Sequence, residues 1–152
     1  GRVRRAALRD VTFRAVRRLG THELVSGRAA LSAARYGHAT VFLLDGTAFL
    51  ESGGSWIAGG SSAEFAIVRD PGASIQLFVR NSAVDNIVVL EAATWREEFA
   101  LKAREERSFD VPVAVNAPGV VLRVRSAKGA RPADTDPGNH DMRKLGYWIE
   151  TR

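Results

Sequence analysis

From Ala39 onward, apolar and polar residues exchange places every one or two positions, in short runs parted by turn formers. The runs 39–44 (ATVFLL), 47–51 (TAFLE), 62–68 (SAEFAIV), 75–80 (IQLFVR), 86–92 (NIVVLEA) and 120–126 (VVLRVRS) each have the length and β-branched content of a strand. In the last of these Val121, Arg123 and Arg125 share one face and Val120, Leu122 and Val124 the other, the pattern of a strand buried on one side. Two turns stand out. Asp45-Gly46 is the dipeptide best suited to a tight hairpin, because both positions tolerate positive φ, and it predicts that 39–44 folds back on 47–51. Pro71 and Gly72 suit the two centre positions of a type II turn.

Residues 94–113 (TWREEFALKAREERSFDVPV) are rich in strong helix formers, so propensity alone assigns a helix. Trp95, Phe99 and Leu101 nevertheless alternate as a strand does, and Phe109, Val111 and Val113 resume the alternation beyond a charged turn. Tertiary context overrides propensity of this size, and the pattern predicts two strands joined near 102–106. Eight or nine strands in about 115 residues describe an all-β protein. The expected architecture is a two-sheet antiparallel β-sandwich, jelly-roll or immunoglobulin-like.

Between the second and third runs lies GSWIAGGSSAEF, residues 54–65. Gly59 and Gly60 permit a sharp turn into the strand that carries Phe65 and Ile67. Ile57 follows Trp56 directly, so in extended chain only one of the two faces the core. Either Trp56 seals the sandwich, or it is exposed as a stacking surface with Ile57 buried.

The first 35 residues have a different texture. Val3, Ala6, Ala7, Leu8, Val11, Ala15, Val16 and Leu19 recur near a 3.6-residue period among arginines, with Gly20 as a stop and 29–34 as a second weak helical stretch. A short helical, arginine-rich leader over 1–35 and a sandwich domain over 36–152 are expected. The net charge of +5 looks like an invitation to nucleic acid until it is divided along the chain. Residues 1–35 carry nine arginines against Asp10 and Glu23, while the remainder carries 13 bases against 15 acids. The leader suits a connecting or docked helix, or an anionic membrane surface, better than nucleic acid, since it has no glycine-arginine repeat and only Phe13 for base stacking. A chain of 152 residues buries a real core, no apolar run is long enough to span a bilayer, and the lack of cysteine removes disulfide and thiolate chemistry. The missing initiator methionine points to a processed chain or an excised part.

The stretch FALKAREERSFDVPV is similar to a turn-and-strand signature of bacterial β-sandwich modules, in which a Pro-Gly-Glu turn leads to a strand ending in Val-Pro-Val. Here Lys102, Ala103 and Arg104 stand in the turn. In order, VFLLDGTAFLESGGSWIAGGSSAEFAI, LFVRNSAVDNIVVLEAATW and DPGNHDMRKLGYWIE resemble the β-sandwich domain at the C-terminal end of bacterial membrane glycosyltransferases that use polyprenyl-phosphate sugars. The resemblance covers roughly residues 36–152. It implies a non-catalytic, extracytoplasmic accessory domain of a membrane-associated protein, recognising glycan or polyprenyl-linked sugar, with a transmembrane helix ahead of the leader. Arginine's preference for the cytoplasmic side of a membrane pulls against that last placement.

The candidate chemistry is that of binding. Trp56, Tyr147 and Trp148 offer flat apolar faces for a pyranose ring, and Arg80, Asn81, Asp85 and Asn86 offer hydrogen bonds to its hydroxyls. Against that, Trp95 and Trp148 sit within apolar runs and also read as core anchors. Histidines occur at 22, 38 and 140, and Asp134, Asp136, Asn139, His140 and Asp141 crowd one loop. That loop lacks the EF-hand register, so a plain turn-rich crossover closed by an Asp141–Arg143 ion pair is favoured over a cation site, and neither a metal nor a cofactor is expected. Carboxylates such as Glu64, Asp85, Glu97 and Glu98 do not single out a catalytic pair, and there is no Gly-x-Ser-x-Gly elbow. Two readings of other classes stand beside the binding module: an assembly module docking on the parent or another protein chain, and a hydrolase whose residues meet only in three dimensions.

Overall fold

The computed structural model describes residues 30–152 apart from Asn116 and Pro118, so the helices expected within 1–29 lie outside the described residues. The described chain forms eleven strands and one helical turn. In chain order these are β1 (Ser32–Tyr36), β2 (Ala39–Gly46), β3 (Ala48–Glu51), β4 (Gly54–Ala58), β5 (Ser62–Arg69), β6 (Ile75–Asn81), β7 (Asn86–Ala92), β8 (Trp95–Leu101), β9 (Glu106–Val111), β10 (Gly119–Ser126), α1 (Pro132–Thr135) and β11 (Leu145–Thr151). One sheet runs β1-β2-β5-β10-β7-β8 and the other β3-β4-β11-β6-β9, all antiparallel. They pack face to face as the expected sandwich.

Pairing is nested: β4 with β11, β5 with β10, β6 with β9, and β7 with β8. The chain from β4 to β11 is thus one long hairpin wrapped across both sheets, the jelly-roll order and not the immunoglobulin one. The hairpin β1–β2 widens the first sheet and β3 widens the second. Alternation explains the core. Val41, Leu43, Phe65, Ile67, Val88, Leu90, Leu122 and Val124 face inward from the first sheet, and Ile57, Leu77, Val79, Val111, Tyr147 and Ile149 from the second. Trp95 packs half-buried at the rim of this core, edge-on to Phe109 at 6.2 Å.

The disputed segment behaves as its alternation predicts, with strands at β8 and β9 and a turn between them. Each is the edge strand of a different sheet, so the charged turn carries the chain across the sandwich. The Pro71-Gly72 turn also forms as expected, with Gly72 at φ +77 and the Ala73 N–H donating to the Asp70 carbonyl at 3.0 Å.

Three expectations need correction. Asp45-Gly46 is no hairpin, because β2 stays beside β5 while β3 joins β4 in the other sheet. The register slips between Leu43 and Asp45, which bends the strand end, and Gly46 at φ +86 lets the chain leave the sheet. A Cβ on Gly46 would lie 2.1 Å from the Ser62 carbonyl oxygen, so glycine also serves the close pass there. The second correction is at 29–34, where the weak helical signal gives way to strand from Ser32. Pairing from Ser32↔Leu43 to Tyr36↔Ala39 satisfies the open edge of β2, and that ladder outweighs a modest propensity. The strand count rises to eleven because β1, β4 and β11 were not among the eight runs read as strands. β4 was hidden by its glycines and by its shortness.

Candidate functional site

Ile57 is fully buried in the core, which turns Trp56 to the outer face of the second sheet, where it is half-buried. Register then builds a row across all five strands: Phe49 opposite Trp56, Trp56 opposite Trp148, Trp148 opposite Arg80, and Arg80 opposite Glu106. The two indoles meet edge to face, centroids 5.4 Å apart at 65°. That geometry suits the aromatic quadrupole and leaves a ring face available. Trp148 is held from three sides. Its Nε1–H donates to Glu150 at 2.9 Å, the Arg80 guanidinium stands 5.9 Å from its ring centroid, and its six-membered ring lies over Gly54, where a Cβ would come within 2.4 Å. Only glycine fits beneath it.

Arg143 closes the other end of the row, 4.8 Å over the Phe49 ring. It reaches Asp141 through two nitrogens, at 3.0 and 2.7 Å, and Glu51 at 2.8 Å. The guanidinium holds the Asp141 carboxyl below the usual carboxylate range, and Asp141 in turn raises Arg143. The contribution of the brace is therefore complete above about pH 5, where an unfolded aspartate is already ionised, and fades as pH falls through the lowered value. This is the loop-closing pair the spacing predicts. Among the described residues no group of three or more His, Asp or Glu side chains is placed to hold a metal.

Beside Trp56 an open cleft of about 460 Å³ runs between the sheet and the loop around α1. Arg80, Arg104, Glu106, Asp136 and Asn139 line it with hydrogen-bonding groups of both signs. A larger cleft, about 700 Å³, lies on the first sheet near Trp95, Val113 and Val120, with a lining richer in alanine and valine. Both clefts set a tryptophan beside charged groups, Trp95 with Glu64, Glu91, Arg96 and Arg123 in the larger one, but the first borders the paired indoles of Trp56 and Trp148.

The residues expected to form one site are split. Trp56, Arg80 and Trp148 come together. Asn81 turns inward, its Nδ2 donating to the carbonyls of Val84 at 2.7 Å and Lys102 at 2.9 Å, so it braces two crossovers. Asn86 is likewise buried, donating to Ser126 Oγ at 2.8 Å and accepting from the Lys128 N–H at 2.9 Å. Asp85 accepts the Ala103 N–H at 3.0 Å, away from the aromatic row. Tyr147 lies in the core with its hydroxyl unpartnered among the described residues, and burial pushes its pKa well up. Trp148, readable as a core anchor, is on the outer face instead. Of the carboxylates weighed for catalysis, Glu64 on β5 pairs with Arg123 at 3.3 Å and Glu98 with Arg96 at 3.1 Å; Glu97 and Glu98 are neighbours on β8, whose side chains alternate to opposite faces, and Asp85 lies between β6 and β7. Sequence reasoning missed Phe49, and it named Arg143 only as the partner of Asp141, without its place over the Phe49 ring. The signal was there: Phe49 and Trp56 sit symmetrically about Ser52-Gly53, as hairpin partners must, once 54–58 is read as a strand. Comparison with known protein families, curated proteins and solved structures finds no match for the chain.

Proposed function

We propose that this chain is a non-catalytic recognition module that binds glycan on the outer face of its second sheet, as the accessory domain of a membrane-associated glycosyltransferase-like protein acting outside the cytoplasm. The observation that carries the binding part is the row Phe49–Trp56–Trp148–Arg80 beside a polar cleft. A pyranose ring has an apolar face that stacks on indole and a rim of hydroxyls that needs donors and acceptors of mixed sign. Trp56 supplies the stacking wall, Trp148 fixes its position, and Arg80, Glu106, Asp136 and Asn139 supply the polar rim. The association with a polyprenyl-sugar glycosyltransferase rests on the ordered motifs of the sequence.

Titration of cell-envelope oligosaccharides, followed by calorimetry and tryptophan fluorescence, tests the reading. Binding in the micromolar to millimolar range is expected, with Trp56→Ala weakening it about tenfold or more, the effect of removing one aromatic anchor. Asp85→Ala, away from the row, should leave affinity unchanged. Absence of heat and of fluorescence change at millimolar sugar would leave the module a structural role only.

A further inference from the structure

The turn between β8 and β9 puts an arginine where the backbone asks for glycine. Arg104 sits at φ +63, the one non-glycine residue at positive φ among those described, and a β-carbon is strained there. Main-chain bonds hold the turn: the Arg104 N–H donates to the Ser82 carbonyl at 2.8 Å and the Glu105 N–H to that of Lys102 at 3.0 Å. The Arg104 side chain takes no part in them, so glycine would serve the turn with less strain. Arg104 instead lines the cleft beside Trp56, together with Arg80. Neither guanidinium is in an ion pair or a hydrogen bond among the described residues. Arg80 has only the Trp148 ring, 5.9 Å from its centroid, although Glu106 stands opposite it in register. Two cations without counter-ions thus border one indole-walled cleft.

We infer that the glycan bound beside Trp56 carries a carboxylate, as a uronic acid does, and that Arg80 and Arg104 receive it. The inference rests on the glycan reading above and narrows it to an acidic sugar. Guanidinium offers only donors, in a planar fork that matches a carboxylate, and charge-assisted bonds of this kind are about twice as strong as neutral ones. A pyranose stacked on Trp56 would present its carboxylate to Arg80 on β6 and Arg104 on the adjoining turn, and its hydroxyls to Asp136 and Asn139 on the loop side. Glu106 and Asp136 pair with neither arginine, and they limit the anion to a single charge, since a dianionic phosphate would meet them as like charges. The strained backbone of Arg104 is then what it takes to hold a cation at the cleft.

Calorimetric titration of the 152-residue chain with trisaccharides of galacturonate, glucuronate and mannuronate, each beside its carboxyl-reduced form, tests this. At pH 7 and about 50 mM salt, at least one uronide should bind about tenfold or more tighter than its reduced form, and the advantage should shrink several-fold at about 0.5 M salt. Arg104→Gly should lose that advantage while keeping its affinity for the reduced sugar and a urea midpoint no lower than that of the parent chain. Arg80→Gln should lose the advantage as well, whereas Trp56→Ala should weaken both forms of the sugar. Equal affinity for the two forms, still dependent on Trp56, would overturn the inference and leave the glycan reading standing. So would tighter binding of glucose 6-phosphate than of every uronide, or an advantage that survives both arginine substitutions. Binding of no sugar at all would overturn the glycan reading and this inference with it.

Discussion

The chain's two tyrosines, Tyr36 and Tyr147, are both buried, and they show how one residue type takes on two duties. The Tyr36 hydroxyl lies 2.8 Å from the Glu51 carbonyl and 2.7 Å from that of Gly54, pinning the β3–β4 hairpin to the first sheet. Tyr147 fills space in the core and leaves its hydroxyl unpartnered among the described residues. Burial raises both phenols above their ordinary value near 10. For groups raised in the folded state, the stability they contribute is whole below the unfolded pKa and drains away as pH climbs through the folded one. Tyrosinate absorbance at 295 nm should therefore be lower in the native protein than in the unfolded chain at pH 10 to 10.5, where an unfolded tyrosine is about half ionised or more. Above that range it should appear together with loss of the β signal. Smooth titration of either tyrosine at pH 10 with the fold intact would contradict their burial.

Among elements, the turn between β8 and β9 is where composition misleads most. Its residues favour helix, yet Arg104 sits at φ +63, the one non-glycine residue at positive φ among those described. The Glu105 N–H donates to the Lys102 carbonyl at 3.0 Å and the Arg104 N–H to that of Ser82 at 2.8 Å, so the backbone is held in place around an unfavourable dihedral. A left-handed conformation costs a β-carbon about 1–2 kcal/mol, part of which glycine gives back through its freer unfolded chain. Arg104→Gly should accordingly stabilise the fold by about 0.5–1 kcal/mol, read as a higher urea midpoint at unchanged slope. A lower midpoint would mean that the side chain contributes more than the dihedral costs.

At the scale of the whole molecule, the nested hairpin decides how the chain must assemble. β4 finds β11 almost ninety residues later, and β5 finds β10 across more than fifty. Such pairings require closure of long loops before any contact compensates the lost entropy, so folding should take milliseconds to seconds at 25 °C in stopped-flow refolding. A submillisecond refolding phase carrying the full amplitude would be incompatible with this topology. The same wrapping gives the sandwich two unlike outer faces: an aromatic row bordered by arginines on one, and a second apolar cluster flanked by the ion pairs Glu64–Arg123 and Glu91–Arg96 on the other.

Alternation alone was enough to place six strands, the Pro-Gly turn, the split of 94–113 into two further strands and the sandwich itself, because a strand buried on one side writes its period into its own residues. It also reduced Trp56 and Ile57 to a choice between two faces. Which face could not be read locally, since an inward Ile57 depends on what the opposite sheet presents to it. The fate of Asp45-Gly46 was equally non-local: a hairpin and a sheet-to-sheet corner ask the same conformational freedom of glycine, and only the partner strands distinguish them. Asn81, Asp85 and Tyr147 looked like surface groups from their chemistry, but crossovers with unpaired backbone amides and carbonyls needed the first two, and the core needed the third. Trp148 and Trp56 became neighbours only through the register of β4 on β11, a pairing between residues ninety-two apart that no local pattern encodes.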